Sequence, residues 1–276
     1  MALNLMYITN NPEVALIAEE TGVDRIMIDL EIIGKEERQK NMDTVKSHHT
    51  IEDIVVISNL LTKSELLVRI NPWNEDSVNE IEKVITAGAD IIMLPMWKTI
   101  SEVESFLDVV RGRVKTTLLL ETKEAVDIID QILDIPLVDE IHIGLNDLHL
   151  SYELTFMFEL LSNGVVEKLC QKFKTKGIQY GFGGIARIGE GELPAERILM
   201  EHYRLGSTRV ILSRSFCNVA KVQDLSSIKD IFRENTASLR TYEHSLMDKT
   251  ESEFTENIEI IRCCVEKIVS QIKEKN

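Results

Sequence analysis

Short apolar runs alternate with amphipathic stretches along most of the chain. Leu3–Tyr7, Arg25–Leu30, Glu65–Ile70, Asp90–Leu94, Lys115–Leu120, Glu140–Ile143, Gln179–Gly184 and Thr208–Leu212 read as strands. They are near-continuous aliphatic runs with little alternation of face, the pattern of strands buried on both sides. Helical stretches separate them: Pro12–Glu20 with Asn11 as cap, Ile51–Ser58, Ser77–Ala87 stopped by Gly88, Ser101–Val110, Lys123–Leu133, Phe156–Lys176, Pro194–Arg204 and a helix after Val222. Eight strand–helix units at roughly 25–30 residues each predict an α/β fold, a (β/α)8 TIM barrel.

The C-terminal segment leaves this alternation. Ile228–Met247 reads as a polar helix, and Phe254, Ile258, Ile261, Val265, Ile268 and Ile272 then repeat at spacings of 4, 3, 4, 3 and 4. That stripe marks one apolar helix face, which packs either on the chain's own barrel or on a neighbouring subunit. The expected organisation is a barrel domain over 1–225 and additional C-terminal helices over 226–276, an oligomer contact.

Composition narrows the function. The chain has 276 residues, 44% of them hydrophobic, and a formal charge of 31 − 46 = −15. So acidic a surface disfavours nonspecific binding to nucleic acid or anionic membranes. No run of about 18 apolar residues is present to span a bilayer, and Met1–Tyr7 lacks the basic region of a signal peptide. Cys170, Cys217, Cys263 and Cys264 form no CxxC, so reduced thiols in a cytoplasmic protein are expected. No GxGxxG follows the first strand and no GxxxxGK[ST] occurs, against a dinucleotide or P-loop fold. Gly181-Phe182-Gly183-Gly184 offers either a phosphate cradle or a tight turn at a strand end.

Barrel enzymes carry their chemistry at the C-terminal strand ends. Here those positions hold Asp29-Leu30-Glu31, Arg69-Ile70-Asn71, Pro95-Met96, Glu121-Thr122, Gly144-Leu145-Asn146-Asp147-Leu148, Arg187 and Arg214. A carboxylate emerging from a buried strand is costly unless paired or bound to a metal. Arg187 and Arg214 sit where barrels often hold phosphate; a phosphorylated or second carboxylate-bearing substrate and simple surface ion pairing are both open.

Over about residues 20–215 the motifs D-L-E (Asp29–Glu31), V-R-x-N (Val68–Asn71), A-G-A-D before L-P-M, L-E-T around Glu121 and G-x-N-D-L around Asp147 occur in order at successive strand ends. In this combination the chain resembles the HpcH/HpaI aldolase and citrate lyase β-subunit superfamily. The resemblance implies Glu121 and Asp147 as ligands to Mg²⁺ or Mn²⁺, and Arg69 as the contact to a substrate carboxylate and enolate oxygen. Asp29, Glu31 and Pro95 fall in the same implied site. It further implies a carbon–carbon lyase or aldolase acting on a small 2-oxo acid with an aldehyde or acyl partner, in a homo-oligomer, a trimer or hexamer. A metal-bound enolate needs no catalytic lysine, and Lys115 begins its strand, the wrong end for a Schiff base. Ile32 stands where that superfamily's aldolase branch has His and its citrate-lyase branch usually Asp. His48 and His49 are the candidates to supply the missing base, and Lys35 and Arg38 could bind an anionic substrate. A citrate-lyase-like acyl-thioester lyase and a catalytically inactive scaffold are the alternatives.

Overall fold

The computed structural model describes residues 2–34, 49–219, 222 and 224–275. The elements are β1 (Asn4–Ile8), α1 (Pro12–Glu20), β2 (Arg25–Asp29), α2 (Ile51–Leu60), β3 (Glu65–Arg69), α3 (Ser77–Thr86), β4 (Ile91–Leu94), α4 (Ile100–Val110), β5 (Lys115–Leu120), α5 (Lys123–Asp127), α6 (Ile129–Ile132), β6 (Glu140–Ile143), α7 (Leu145–Ser151), α8 (Glu159–Ser162), α9 (Val165–Lys176), β7 (Gln179–Ile185), α10 (Ala195–Leu205), β8 (Arg209–Leu212), α11 (Leu225–Leu246) and α12 (Glu251–Lys275). The strands close into a barrel in the order β1 to β8. This is the predicted TIM barrel with C-terminal helices. No helix among the described residues is long and apolar enough to cross a membrane.

The contacts divide the chain into two compact units, residues 7–141 and residues 1–6 with 142–276. In the first, β2 to β5 pair in parallel, with Arg25 opposite Glu65 and Asp29 opposite Arg69. Ile26, Ile28, Leu67, Val68, Ile91, Ile92, Leu118 and Leu120 have no exposed surface. Each fully buried aliphatic side chain contributes about 1.5–3 kcal/mol. α1, α2 and α4 begin at side-chain caps: Asn11 Oδ1 accepts from the N–H groups of Glu13 and Val14, and Thr50 and Thr99 close capping boxes with Asp53 and Glu102. Such caps satisfy N–H groups that the first helical turn leaves without partners.

In the second unit, β7 and β8 pair in parallel. The N-terminal strand is held by α11: Leu3 N–H donates to Glu243 Oε1 at 2.8 Å and Arg240 Nη1 donates to the Leu3 carbonyl at 2.8 Å. α12 packs on α8 and α10, and Asn257 Nδ2 donates to Glu201 Oε1 at 3.0 Å. Ile258, Ile261 and Val265 of the apolar stripe are buried there within the same chain. Over these three residues the stripe packs on its own barrel's helices.

Three segments differ from their sequence pattern. The helix expected over 123–133 is interrupted at Ile128, and that over 156–176 at Asn163–Gly164, where Gly164 takes a φ of 81°. That left-handed conformation is accessible to glycine because it has no Cβ. The Gly181–Gly184 segment lies inside β7, with an irregular register between those two residues. A Cβ on Gly181 would sit 2.3 Å from the Arg209 carbonyl oxygen, so the glycine serves close backbone approach rather than a terminal turn.

Candidate active site

Asp29 and Arg69 are the last residues of β2 and β3 and lie in register. Residues in register on parallel neighbours project to the same face, so the acid ending one strand meets the base ending the next. Arg69 Nε and Nη2 donate to the two Asp29 oxygens at 2.9 and 2.8 Å. Its Nη1 lies 3.3 Å from Glu31 Oε2. The side chains of Asp29 and Glu31 are 3% and 1% exposed, and that of Arg69 14%. Burial by itself would make Arg69 easier to deprotonate. Asp29 and Glu31, with a contribution from Glu121, outweigh burial and hold the guanidinium firmly charged.

Glu121 follows β5 directly and is buried. Its Oε1 accepts the Met96 N–H at 3.1 Å. Met96 has a φ of 53°, a strained conformation for a residue with a Cβ and typical of functional loops. The next turn is braced by Thr122, whose Oγ1 donates to the Trp97 carbonyl at 2.9 Å and accepts from Ala125 N–H at 3.1 Å. Pro95, immediately before Met96, is buried.

Beyond β2 the chain is held by Asn71. Its Oδ1 accepts the N–H groups of Ile32 and Ile33 at 2.9 and 3.1 Å, and its Nδ2 donates to Glu80 Oε1 at 2.8 Å. Burial pushes the Glu80 carboxyl up, against the pull of Asn71's donors. Ile32 itself is 65% exposed. His49 Nδ1 accepts the Asp29 N–H at 2.9 Å.

The structure thus brings Asp29, Glu31, Arg69 and His49 into one network of contacts, with Glu121 coupled to Arg69 electrostatically. Lys35, Arg38 and His48 lie outside the described residues. In the other unit, Asp147 is buried in the first turn of α7. Arg187 is exposed and paired with Glu190, three residues on in the same loop, which is the surface ion pair the sequence left open. Arg214 is exposed. The roles of Met96, Asn71 and Glu80 were missed from sequence. The V-R-x-N motif pointed at Asn71 without indicating that it clamps the segment after β2.

The HpcH/HpaI aldolase/citrate lyase family model matches residues 4–161, and the chain belongs to this family. Membership supports a lyase or aldolase function in general. Among solved structures the chain is similar to an HpcH/HpaI aldolase from Desulfitobacterium hafniense DCB-2, at 16% identity and a TM-score of 0.60, covering 83% of this chain and 93% of that one. It is also similar to an HpcH/HpaI aldolase/citrate lyase family protein from Burkholderia cenocepacia J2315, at 15% identity and a TM-score of 0.61, over 83% of this chain and 95% of that one. Tryptophan synthase from M. tuberculosis aligns as well, at 13% identity and a TM-score of 0.59, over 87% and 94% of the two chains. At such identities these likenesses show the fold alone. No curated protein sequence matches the chain.

Proposed function

We propose that this chain is a divalent-metal-dependent carbon–carbon lyase or aldolase acting through the enolate of a small 2-oxo acid. The supporting observation is the charge balance beyond β2, β3 and β5. Three buried carboxylates, Asp29, Glu31 and Glu121, are coupled to one guanidinium, Arg69. Among the described residues these four groups sum to a formal charge of −2, a balance that suits a cation. Among the described residues no three His, Cys, Asp or Glu side chains are arranged as an ion cage. Mg²⁺ does not need one, because it takes one or two carboxylates and keeps waters that a substrate can displace. Glu121, buried directly after β5, is the carboxylate of this unit that we assign to it. Bound there, the ion supplies Lewis-acid stabilisation of enolate charge.

The chain's own residues do the rest. A guanidinium has five N–H donors. Asp29 takes two from Arg69, and Glu31 lies 3.3 Å from Nη1 as an ion-pair partner; the N–H groups remaining on the terminal nitrogens are the donors for a substrate carboxylate or enolate oxygen. Asp29 and Glu31 hold the fork rigid, so its donors are aimed before the substrate arrives, as electrostatic stabilisation requires. Met96 N–H fixes one Glu121 oxygen and so orients the other. Ile32 can neither accept nor donate a proton, and its exposed apolar side chain leaves that work to other groups.

The test is exchange of pyruvate methyl protons in D₂O, followed by NMR with Mg²⁺ or Mn²⁺ and after chelation. Metal-dependent exchange that falls sharply in Glu121→Gln is expected. Exchange indifferent to chelation, or none at all, would overturn the reading.

A further inference from the structure

The ladder between β1 and β2 extends to Thr9, whose N–H donates to the Met27 carbonyl at 3.2 Å. On the opposite edge of β2, Leu30 N–H donates to the Arg69 carbonyl at 2.9 Å. Successive N–H groups of a strand point to alternate edges. Asp29 N–H therefore faces the β1 edge, beyond the last residue of β1. It donates there to His49 Nδ1 at 2.9 Å, so the imidazole occupies the acceptor position that a longer β1 would fill.

His49 is itself fixed from two sides. It directly precedes Thr50, the N-cap of α2, whose N–H donates to Asp53 Oδ2 at 2.8 Å and whose Oγ1 accepts the Asp53 N–H at 3.3 Å. Asp53 Oδ2 also accepts from Asn10 Nδ2 at 3.1 Å, tying the start of α2 to the segment that leaves β1. The ring thus has a braced backbone behind it and the Asp29 peptide in front.

We infer that His49 is a positioning residue: by accepting the Asp29 N–H it fixes the residue whose carboxylate grips Arg69, and so sets the aim of the remaining Arg69 donors. The inference rests on the reading of Arg69 as the substrate contact. An accepting Nδ1 places the neutral ring's proton on Nε2, so the Nδ1 lone pair is already committed to Asp29. This role differs from the proton-transfer base that the sequence suggests for His49, and the two separate experimentally.

The test compares His49→Asn, which keeps an acceptor oxygen near the position of Nδ1, with His49→Leu, which keeps bulk and loses the acceptor. Two readouts need no catalysis: hydrogen exchange of the Asp29 amide and of Arg69 Nε–H, both followed by NMR on the full chain. His49→Leu is expected to lose about 100-fold of protection at both groups, while His49→Asn keeps it. Pyruvate exchange, measured with the metal present, is expected to fall about 10²-fold in His49→Leu, the order that a displaced catalytic group costs. It should stay within about threefold of wild type in His49→Asn, because an amide restores the acceptor but not a base. Equal loss of rate in both variants would make His49 a base and overturn the positioning role, as would unchanged protection of Asp29 and Arg69 in His49→Leu. Should wild type itself exchange no pyruvate protons, the reaction proposed above fails, and the two protection measurements still decide what His49 does.

Discussion

Two arginine–carboxylate clusters occupy opposite ends of the strands in the 7–141 unit, and they differ in balance rather than in kind. At the N-terminal ends, Arg25 forks onto Glu140 at 2.6 and 2.8 Å and reaches Glu65 at 2.9 Å, and Lys115 also pairs with Glu65. These residues begin β2, β3, β5 and β6. Two cations meet two carboxylates, so the group is neutral. Burial weakens Arg25's hold on its proton, and Glu140 and Glu65 more than compensate. At the C-terminal ends one cation faces three carboxylates. A buried fork therefore does not mark an active site. What separates the two, among the described residues, is the ratio of carboxylates to cations, and the position of the acidic one at the end of the barrel where chemistry is done.

The comparison breaks most visibly if the neutral end is made to carry charge. Arg25→Met leaves Glu140 buried without its fork, and removing one partner of such a pair costs about 3–5 kcal/mol. Urea unfolding should show that loss, while the rate per folded molecule stays near wild type. Arg69→Lys is the opposite experiment. It keeps the charge but not the fork, so its effect should fall on turnover, about 10²–10³-fold, with a smaller change in stability. A fall in kcat as large in Arg25→Met as in Arg69→Lys would mean the two ends are not functionally distinct.

Metal linkage sharpens the contrast. At about 100 times its dissociation constant, an ion that binds only the folded chain adds about 2.7 kcal/mol. Thermal unfolding with Mg²⁺ should show this gain in wild type and equally in Arg25→Met, whose defect lies at the other end. Glu121→Gln should lose most of it. An undiminished gain in Glu121→Gln would remove this carboxylate from the metal assignment.

How much of this contrast could be read in the sequence depends on the distance over which each contact forms. The placement of Asp29, Glu31, Arg69 and Glu121 was legible because each ends an apolar strand or follows one within two residues, and strand ends in a barrel share a face. The His49 contact was not: it joins residues 20 apart across a helix start, and no local periodicity encodes it. The same holds for Asn71, whose acceptor oxygen serves Ile32 and Ile33 nearly 40 positions away. In the later part of the chain, Gly181 looked like turn chemistry because its real constraint, the Arg209 carbonyl, comes from the next strand. The apolar stripe of α12 was visible as a stripe, but a helical pattern states that a face is apolar and not what covers it. Ile258, Ile261 and Val265 find their cover on the same chain.

The smallest expected effect tests the outer edge of the neutral cluster. The side chains of Lys115 and Glu65 are 53% and 32% exposed, against 4% and 7% for Arg25 and Glu140. Pairs in contact with water contribute at most about 1 kcal/mol and are screened by salt. Lys115→Ala should therefore cost no more than about 1 kcal/mol at neutral pH and less at high ionic strength, unlike Arg25→Met, whose cost should be insensitive to salt. Acid provides the sign. Burial pushes the Glu65 carboxyl up, but Lys115 and Arg25 outweigh it and leave it below its ordinary 4.5. A lowered carboxyl contributes stability above its unfolded pKa and loses it as pH falls through the folded value. The gap between Lys115→Ala and wild type should be full at pH 7 and close as the pH drops below about 4.5. A gap that persists in acid, where Glu65 carries a proton in both proteins, would assign the cost to lost packing of the lysine stem rather than to its charge.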